Sequence, residues 1–128
     1  MIIGIGTDLV KIDRIDRIIE RFGGRFLDRV YTPGEQAEAA SRQQKARYYA
    51  MRFAAKEAGW KALSPRRDSR IGWHDFEITS TPEGRPVLAF HGPAREDFEK
   101  MTGSDGRIDL SLSDDGGFAL AFVVLSAP

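Results

Sequence analysis

The run Arg52-Phe53-Ala54-Ala55-Lys56-Glu57-Ala58-Gly59-Trp60-Lys61-Ala62-Leu63 belongs to the longest helical pattern in the chain, which reaches back to about Lys45. At the helical period Tyr49, Phe53 and Trp60 fall on one stripe, flanked by Ala50 and Ala54. Glu57 lands inside that stripe, four residues after Phe53, and Lys61 follows at its edge. An acid directed toward a core is costly unless it is paired, hydrogen-bonded or holding a metal. The rest of the chain has to supply the reason for Glu57.

Working outward toward the N-terminus, Ile2 to Val10 reads as a buried strand, short and β-branched, with no charge before Asp8. Alternation places Ile3 and Ile5 on one face and Ile2, Gly4, Gly6 and Asp8 on the other. Two glycines on one face imply a surface that another group approaches closely. Asp8 stands at the end of that cleared face, where a helix N-cap is the simplest use for it.

A helix is expected over Lys11 to about Phe22, with Ile12, Ile15, Ile18, Ile19 and Phe22 toward the core. Lys11, Arg14, Arg17 and Arg21 form a second stripe and Asp13, Asp16 and Glu20 a third. Arg25 and Arg29 extend the basic side past Gly23-Gly24. Stacking like charges forgoes the salt-bridged spacing that stabilises a solvated helix. Both a solvated face and a docking face for an acidic partner fit this pattern. Nucleic acid does not, because the patch is short and has no interleaved aromatics.

Thr32-Pro33-Gly34-Glu35 opens another helix, to about Arg42, with Thr32 as N-cap and Glu35 completing a capping box. Past the central helix, Ser64-Pro65-Arg66-Arg67-Asp68-Ser69-Arg70 is a polar, proline-broken loop, read as surface or as a phosphate grip. Asp75 to Ser80 and Pro86 to His91 read as strands joined by a turn through Gly84. A short helix follows from Pro93 to about Met101, then a strand Arg107 to Ser113 with Ile108, Leu110 and Leu112 inward. Asp114-Asp115-Gly116-Gly117 turns the chain into Phe118 to Leu125, apolar on both faces and therefore a central strand. The order β-α-α-α-β-β-α-β-β gives an α+β single domain over 1–128, with helices packed on a small, mainly antiparallel sheet.

The bulk properties narrow the function. At 128 residues the chain is one domain, with room for a core but little for an enclosed site. Nineteen basic and 19 acidic residues cancel, so any electrostatic partner must be found by local patches. The absence of cysteine excludes disulfides, zinc-thiolate sites and thiol nucleophiles. No apolar run approaches a membrane span, and Met1-Ile2-Ile3-Gly4 lacks the basic start of a signal peptide, so a cytoplasmic protein is expected. Two carboxylates, Asp8 and Glu57, with no thiol or histidine cluster, suit a hard cation such as Mg²⁺. Lys61, one turn from Glu57, serves either as an ion-pair partner or, in a desolvated site, as a phosphate ligand or proton acceptor. The set points to phosphate-ester chemistry. A glycoside hydrolase would use the carboxylates but not the lysine, and no aromatic sugar platform is present. His74 and His91 have no partners at metal spacing and are read as structural.

Gly4-Ile5-Gly6-Thr7-Asp8, Arg52-Phe53-Ala54-Ala55-Lys56-Glu57-Ala58 and Lys61-Ala62-Leu63 together strongly resemble the holo-acyl-carrier-protein synthases, the small type of 4'-phosphopantetheinyl transferase. Gly84-Arg85-Pro86 and Leu110-Ser111-Leu112-Ser113 continue the resemblance over nearly the whole chain. It implies transfer of the phosphopantetheine arm of coenzyme A to a serine of an apo acyl carrier protein, releasing adenosine 3',5'-bisphosphate, as in fatty-acid biosynthesis. It implies Asp8 and Glu57 as Mg²⁺ ligands and Lys61 as phosphate contact, with Lys61 and a metal-bound water as alternative bases. Arg52, Gly84, Arg85 and Pro86 match positions toward the nucleotide end. Arg14, with Arg21 and Arg25, matches a docking face for the acidic carrier helix. A homotrimer with interfacial active sites is also implied, which would cover the second face of Phe118 to Leu125. Two features depart from the family: Asp114 stands where many members have histidine, and Ser64 to Arg70 replaces a glycine-rich turn. A non-catalytic carrier-binding module and a Mg²⁺-dependent nucleotide hydrolase are the competing classes. The intact acid–lysine set counts against the first, and a missing glutamate-rich signature against the second.

Overall fold

The computed structural model describes residues 1–128. Strand β1 (Ile2–Lys11) is followed by helices α1 (Ile12–Phe22), α2 (Gly24–Val30), α3 (Pro33–Ala40) and α4 (Lys45–Leu63). A 3₁₀ turn at Trp73–Asp75 leads into β2 (Phe76–Ser80) and β3 (Pro86–Phe90), then α5 (Gly92–Thr102), β4 (Arg107–Asp115) and β5 (Phe118–Ser126). The α+β class expected from the pattern is therefore the one observed. The strands form two antiparallel sheets, β1-β5-β4 and the hairpin β2-β3. β5 is central, as its two apolar faces required.

Helix α2 is an addition to the expected order. The expected helix ends at about Phe22, yet Gly23, at φ 54°, only turns the chain between two helices and caps α1 through its amide to the Ile19 carbonyl. The strand β4 also runs two residues beyond its expected end. The tight turn to β5 is made by Gly116 and Gly117 alone, whose φ values of 57° and 84° are those a two-residue hairpin loop needs. In β1 the strict alternation fails at the start, because a register shift between Ile2 and Gly4 leaves Ile2 exposed and packs Ile3 against the core. From Gly4 onward the expected facing holds. On α1 the charges are not wholly segregated, since Arg17 pairs with Asp13 at 2.8 Å on the exposed side.

The buried face of α4 differs from the stripe of large residues. Ala50, Ala54, Ala55, Ala58 and Ala62 are at most 3% exposed, whereas Trp60 is 39% exposed and Phe53 is half-buried. Small side chains let the helix backbone lie close on the sheet, and the aromatics flank that seam. The opposite face of the sheet is open. Ile5, Leu9, Phe118, Leu120 and Phe122 stand on it, each at least 39% exposed, adjacent across β1 and β5. No helix is long and apolar enough to cross a membrane.

Candidate active site

The glycines of β1 are what seat α4. A Cβ on Gly6 would run into the Ala58 carbonyl and lie 2.6 Å from the Ala62 amide nitrogen; one on Gly4 would collide with the Ala62 carbonyl. The cleared strand face is thus occupied by the helix backbone, and the close approach brings the side chains of Asp8, Glu57 and Lys61 into one group.

Within that group Lys61 pairs with Asp8 across elements, not with Glu57 along the helix. Its Nζ donates to Asp8 Oδ1 at 3.1 Å and to the Thr7 carbonyl at 3.0 Å. Asp8 is mostly covered, while Lys61 remains half exposed. No side chain or amide hydrogen-bonds the Glu57 carboxylate. Burial first, and the Asp8 carboxylate second, push its carboxyl above the ordinary glutamate value against the pull of Lys61 and Arg14. The Glu57 carboxylate therefore lies within the field of Asp8, Lys61 and Arg14.

The donor set suits a hard dication. Two carboxylates held in one field raise each other's cost, and a dication between them would relieve it. No group of three or more His, Asp or Glu side chains is arranged to hold a metal. An ion here would take most of its shell from water and substrate oxygens, as Mg²⁺ does at phosphate sites. On its other side Glu57 lines a cavity of 260 Å³ with Lys56, Trp60, Ile71, Gly72, Trp73 and Phe76. This explains how an acid sits on that stripe: it opens into a cavity and not into packed core.

Arg52, Gly84 and Pro86 meet in a separate, larger cleft of 810 Å³ between the α3–α4 turn and the β2-β3 hairpin. The Arg52 side chain is 8% exposed; its guanidinium lies 4.1 Å over the Tyr48 ring and 3.7 Å from Glu38. Glu38 organises this wall. It accepts from Arg42 at 2.7 Å, Ser80 at 2.9 Å and Tyr48 at 3.1 Å. Burial works against its charge, but the Arg42 and Ser80 hydrogen bonds and the Arg52 charge hold its carboxyl below the usual range. Arg85 does not line the cleft. It sits exposed at the hairpin end, its amide donating to Thr81 Oγ1 at 3.0 Å.

Asp114 also has a defined role. It grips Arg47, a cleft residue, through two bonds of 2.9 and 2.7 Å. The hydrogen bond from Arg47 holds the Asp114 carboxyl below its ordinary value. Ser64 to Arg70 is a mainly exposed loop, with Arg66 3.6 Å from Asp68. Arg14, Arg21 and Arg25 are all exposed, the first two on α1 and the third on α2, so the basic face spans two helices meeting at Gly23.

His74 and His91 make the structural contacts expected of them, to the Asp28 carbonyl at 2.8 Å and to Glu77 at 3.1 Å. The capping box of Thr32 and Glu35 forms. Sequence reasoning missed the second use of Glu35, a buried ion pair with Lys56 at 2.8 Å. A lysine beside an acid in a helix reads as a solvated pair, and only its place next to the alanine seam hinted otherwise.

The chain matches the model of the 4'-phosphopantetheinyl transferase superfamily over residues 4–123. Among curated relatives, the holo-[acyl-carrier-protein] synthase of Rhodopseudomonas palustris (strain BisA53) is 47% identical, over 99% of this chain and 96% of its own length. That of Dinoroseobacter shibae is 48% identical over 99% and 93%. The crystal structure of holo-[acyl-carrier-protein] synthase from Neisseria meningitidis superposes with a TM-score of 0.84 at 38% identity, covering 98% of this chain and 99% of that one. A coenzyme A complex from "Chronobacterium ammoniagenes" superposes at 0.83 with 29% identity, covering 98% and 97%. The chain belongs to the holo-acyl-carrier-protein synthase family of the 4'-phosphopantetheinyl transferases.

Proposed function

We propose that the chain transfers the 4'-phosphopantetheine group of coenzyme A to a serine of an apo acyl carrier protein in a Mg²⁺-dependent reaction, releasing adenosine 3',5'-bisphosphate. The observation that carries this reading is the convergence of Asp8, Glu57 and Lys61 where α4 docks on Gly4 and Gly6. Family membership supports it, as do relatives solved with coenzyme A.

Asp8 and Glu57 would hold the metal, which supplies neutralisation of charge on the reacting phosphate and its leaving group. The serine oxygen forms the new bond to the β-phosphorus, and the bond from that phosphorus to the bridging oxygen breaks, so the bisphosphate leaves. Lys61, half exposed and already beside Asp8, either takes the serine proton or contributes a cation to the phosphates, in which case a water held by the ion would take that proton. Arg52 and the Gly84-Arg85-Pro86 turn hold the nucleotide end in the larger cleft, with Arg85 reaching in from the rim. Arg14, Arg21 and Arg25 dock the acidic carrier, their exposure leaving them free to do so. The two openings share no lining residue in a single copy. A homotrimer formed through the open apolar face of β1 and β5 accounts for that face and would let neighbouring copies complete the site. The absence of cysteine is in keeping with a cytoplasmic enzyme.

The test is an intact-mass measurement of apo carrier protein incubated with coenzyme A, Mg²⁺ and the protein. A carrier heavier by one phosphopantetheine is expected. No gain, where a known synthase modifies the same carrier, overturns the reading.

A further inference from the structure

Glu57 has no hydrogen-bond partner of its own, so its placement must come from the backbone on either side. Its two neighbours in sequence are pinned. Ala58 presses its carbonyl against Gly6, leaving no space for a side chain there. Lys56, fully buried, donates to Glu35 Oε1 at 2.8 Å, to the Phe76 carbonyl at 2.5 Å and to the Trp73 carbonyl at 3.3 Å. All three ammonium protons are used. Glu35, also fully buried, accepts in addition from the Thr32 amide at 2.9 Å and from the Ile78 amide at 2.8 Å. The network joins α3, α4, β2 and the 3₁₀ turn, and each polar atom in it has a partner.

Such a pair is poorly explained as a stability device. Buried ion pairs are often no better for stability than apolar residues of the same size, because desolvation consumes the attraction. What they supply is a fixed geometry. A methionine at position 56 would tolerate several rotations and small slides of α4, whereas an ammonium with three directed bonds tolerates one. Residue 57 lies on the helix between that anchor and the Gly6 contact.

We propose that the buried Lys56–Glu35 pair is a positioning device for the reaction: it sets the rotation of α4 and thereby holds the Glu57 carboxylate facing Asp8. The inference rests on the metal-ligand role of Glu57 proposed above. Lys56 touches neither substrate nor metal and acts only through its neighbour.

The test measures Mn²⁺ binding to the full-length protein by the loss of the free-ion electron paramagnetic resonance signal, with thermal midpoints recorded in parallel. Glu35→Gln/Lys56→Gln replaces the ion pair by neutral amides that retain hydrogen-bonding capacity, and Glu35→Gln alone is the milder variant. Phe98→Leu, in the α5 part of the core, is a control for loss of stability without a change at the anchor. Weakening by about ten-fold, the scale seen when the support of a metal ligand is lost, is expected for the double variant and a smaller loss for Glu35→Gln. Phe98→Leu should keep the native affinity. Native affinity in both Gln variants, or an equal loss in Phe98→Leu, overturns the positioning role. A wild-type protein whose Mn²⁺ binding does not respond to Asp8→Asn overturns the metal reading itself, and the positioning role with it.

Discussion

Replacing Gly6 by alanine tests how closely α4 must lie on β1. The new methyl group would sit 2.6 Å from the Ala62 nitrogen, and would be closer still to the Ala58 carbonyl. Ordinary contact begins near 3.4 Å, so clearing the Ala62 nitrogen alone takes a retreat of ~0.8 Å, and clearing the Ala58 carbonyl takes more. Both obstacles are backbone, and neither can rotate away. Overpacking of this kind costs roughly 1–3 kcal/mol. For a domain of this size each kcal/mol lowers the thermal midpoint by about 4 °C. The functional cost should be larger than that loss suggests, because the retreat carries Glu57 and Lys61 away from Asp8. A displacement near 1 Å in a catalytic group lowers rates by roughly a hundred-fold. Gly6→Ala should therefore fold, melt at a lower temperature by differential scanning calorimetry, and lose most phosphopantetheinyl transfer in a carrier mass assay. An unchanged midpoint with full transfer would show that the close approach is not required.

Four other outcomes are expected. Lys61→Met should keep its fold by circular dichroism and lower the rate of transfer by roughly 10²-fold, whether the lysine contacts phosphate or takes the proton. Because the folded state raises the Glu57 carboxyl, that group adds stability at low pH and loses it as pH rises through its folded value. Metal-free Glu57→Gln should therefore melt higher than the native protein at neutral pH, with the difference vanishing below about 4.5, the ordinary glutamate value. Arg52→Ala should raise the KM for coenzyme A by roughly ten-fold while leaving that for the carrier unchanged, as measured by steady-state kinetics. On the proposed trimer, light scattering should give trimers for the native chain and monomers for Leu120→Glu with Phe122→Lys.

Much of the fold was legible because its signals were periodic. Helix α4, expected from about Lys45 to Leu63, spans Lys45–Leu63, and β5 was placed centrally from its two apolar faces. Glu57 was legible as a misfit, and Gly4 and Gly6 as a place of close approach. The occupant of that place was not, since glycines show only that something comes near. Here it is the helix backbone itself. Helix α2 was missed because Gly23-Gly24 carries the same composition whether the chain stops or merely turns. The Lys56–Glu35 pair was missed for a different reason. Buried lysines are rare, and Glu35 already had a complete local explanation in its capping box. Asp114 was legible only as a departure; its partner Arg47 lies 67 residues away in sequence.

In the proposed reaction Asp8 and Glu57, brought together by α4 on β1, hold one ion at the reacting phosphate. The anomalous scattering of Mn²⁺ in crystals soaked with Mn²⁺ and coenzyme A tests it directly. One strong peak in contact with both carboxylates and the coenzyme pyrophosphate is predicted. A peak away from either acid, or coenzyme bound in full with no metal between them, would contradict it.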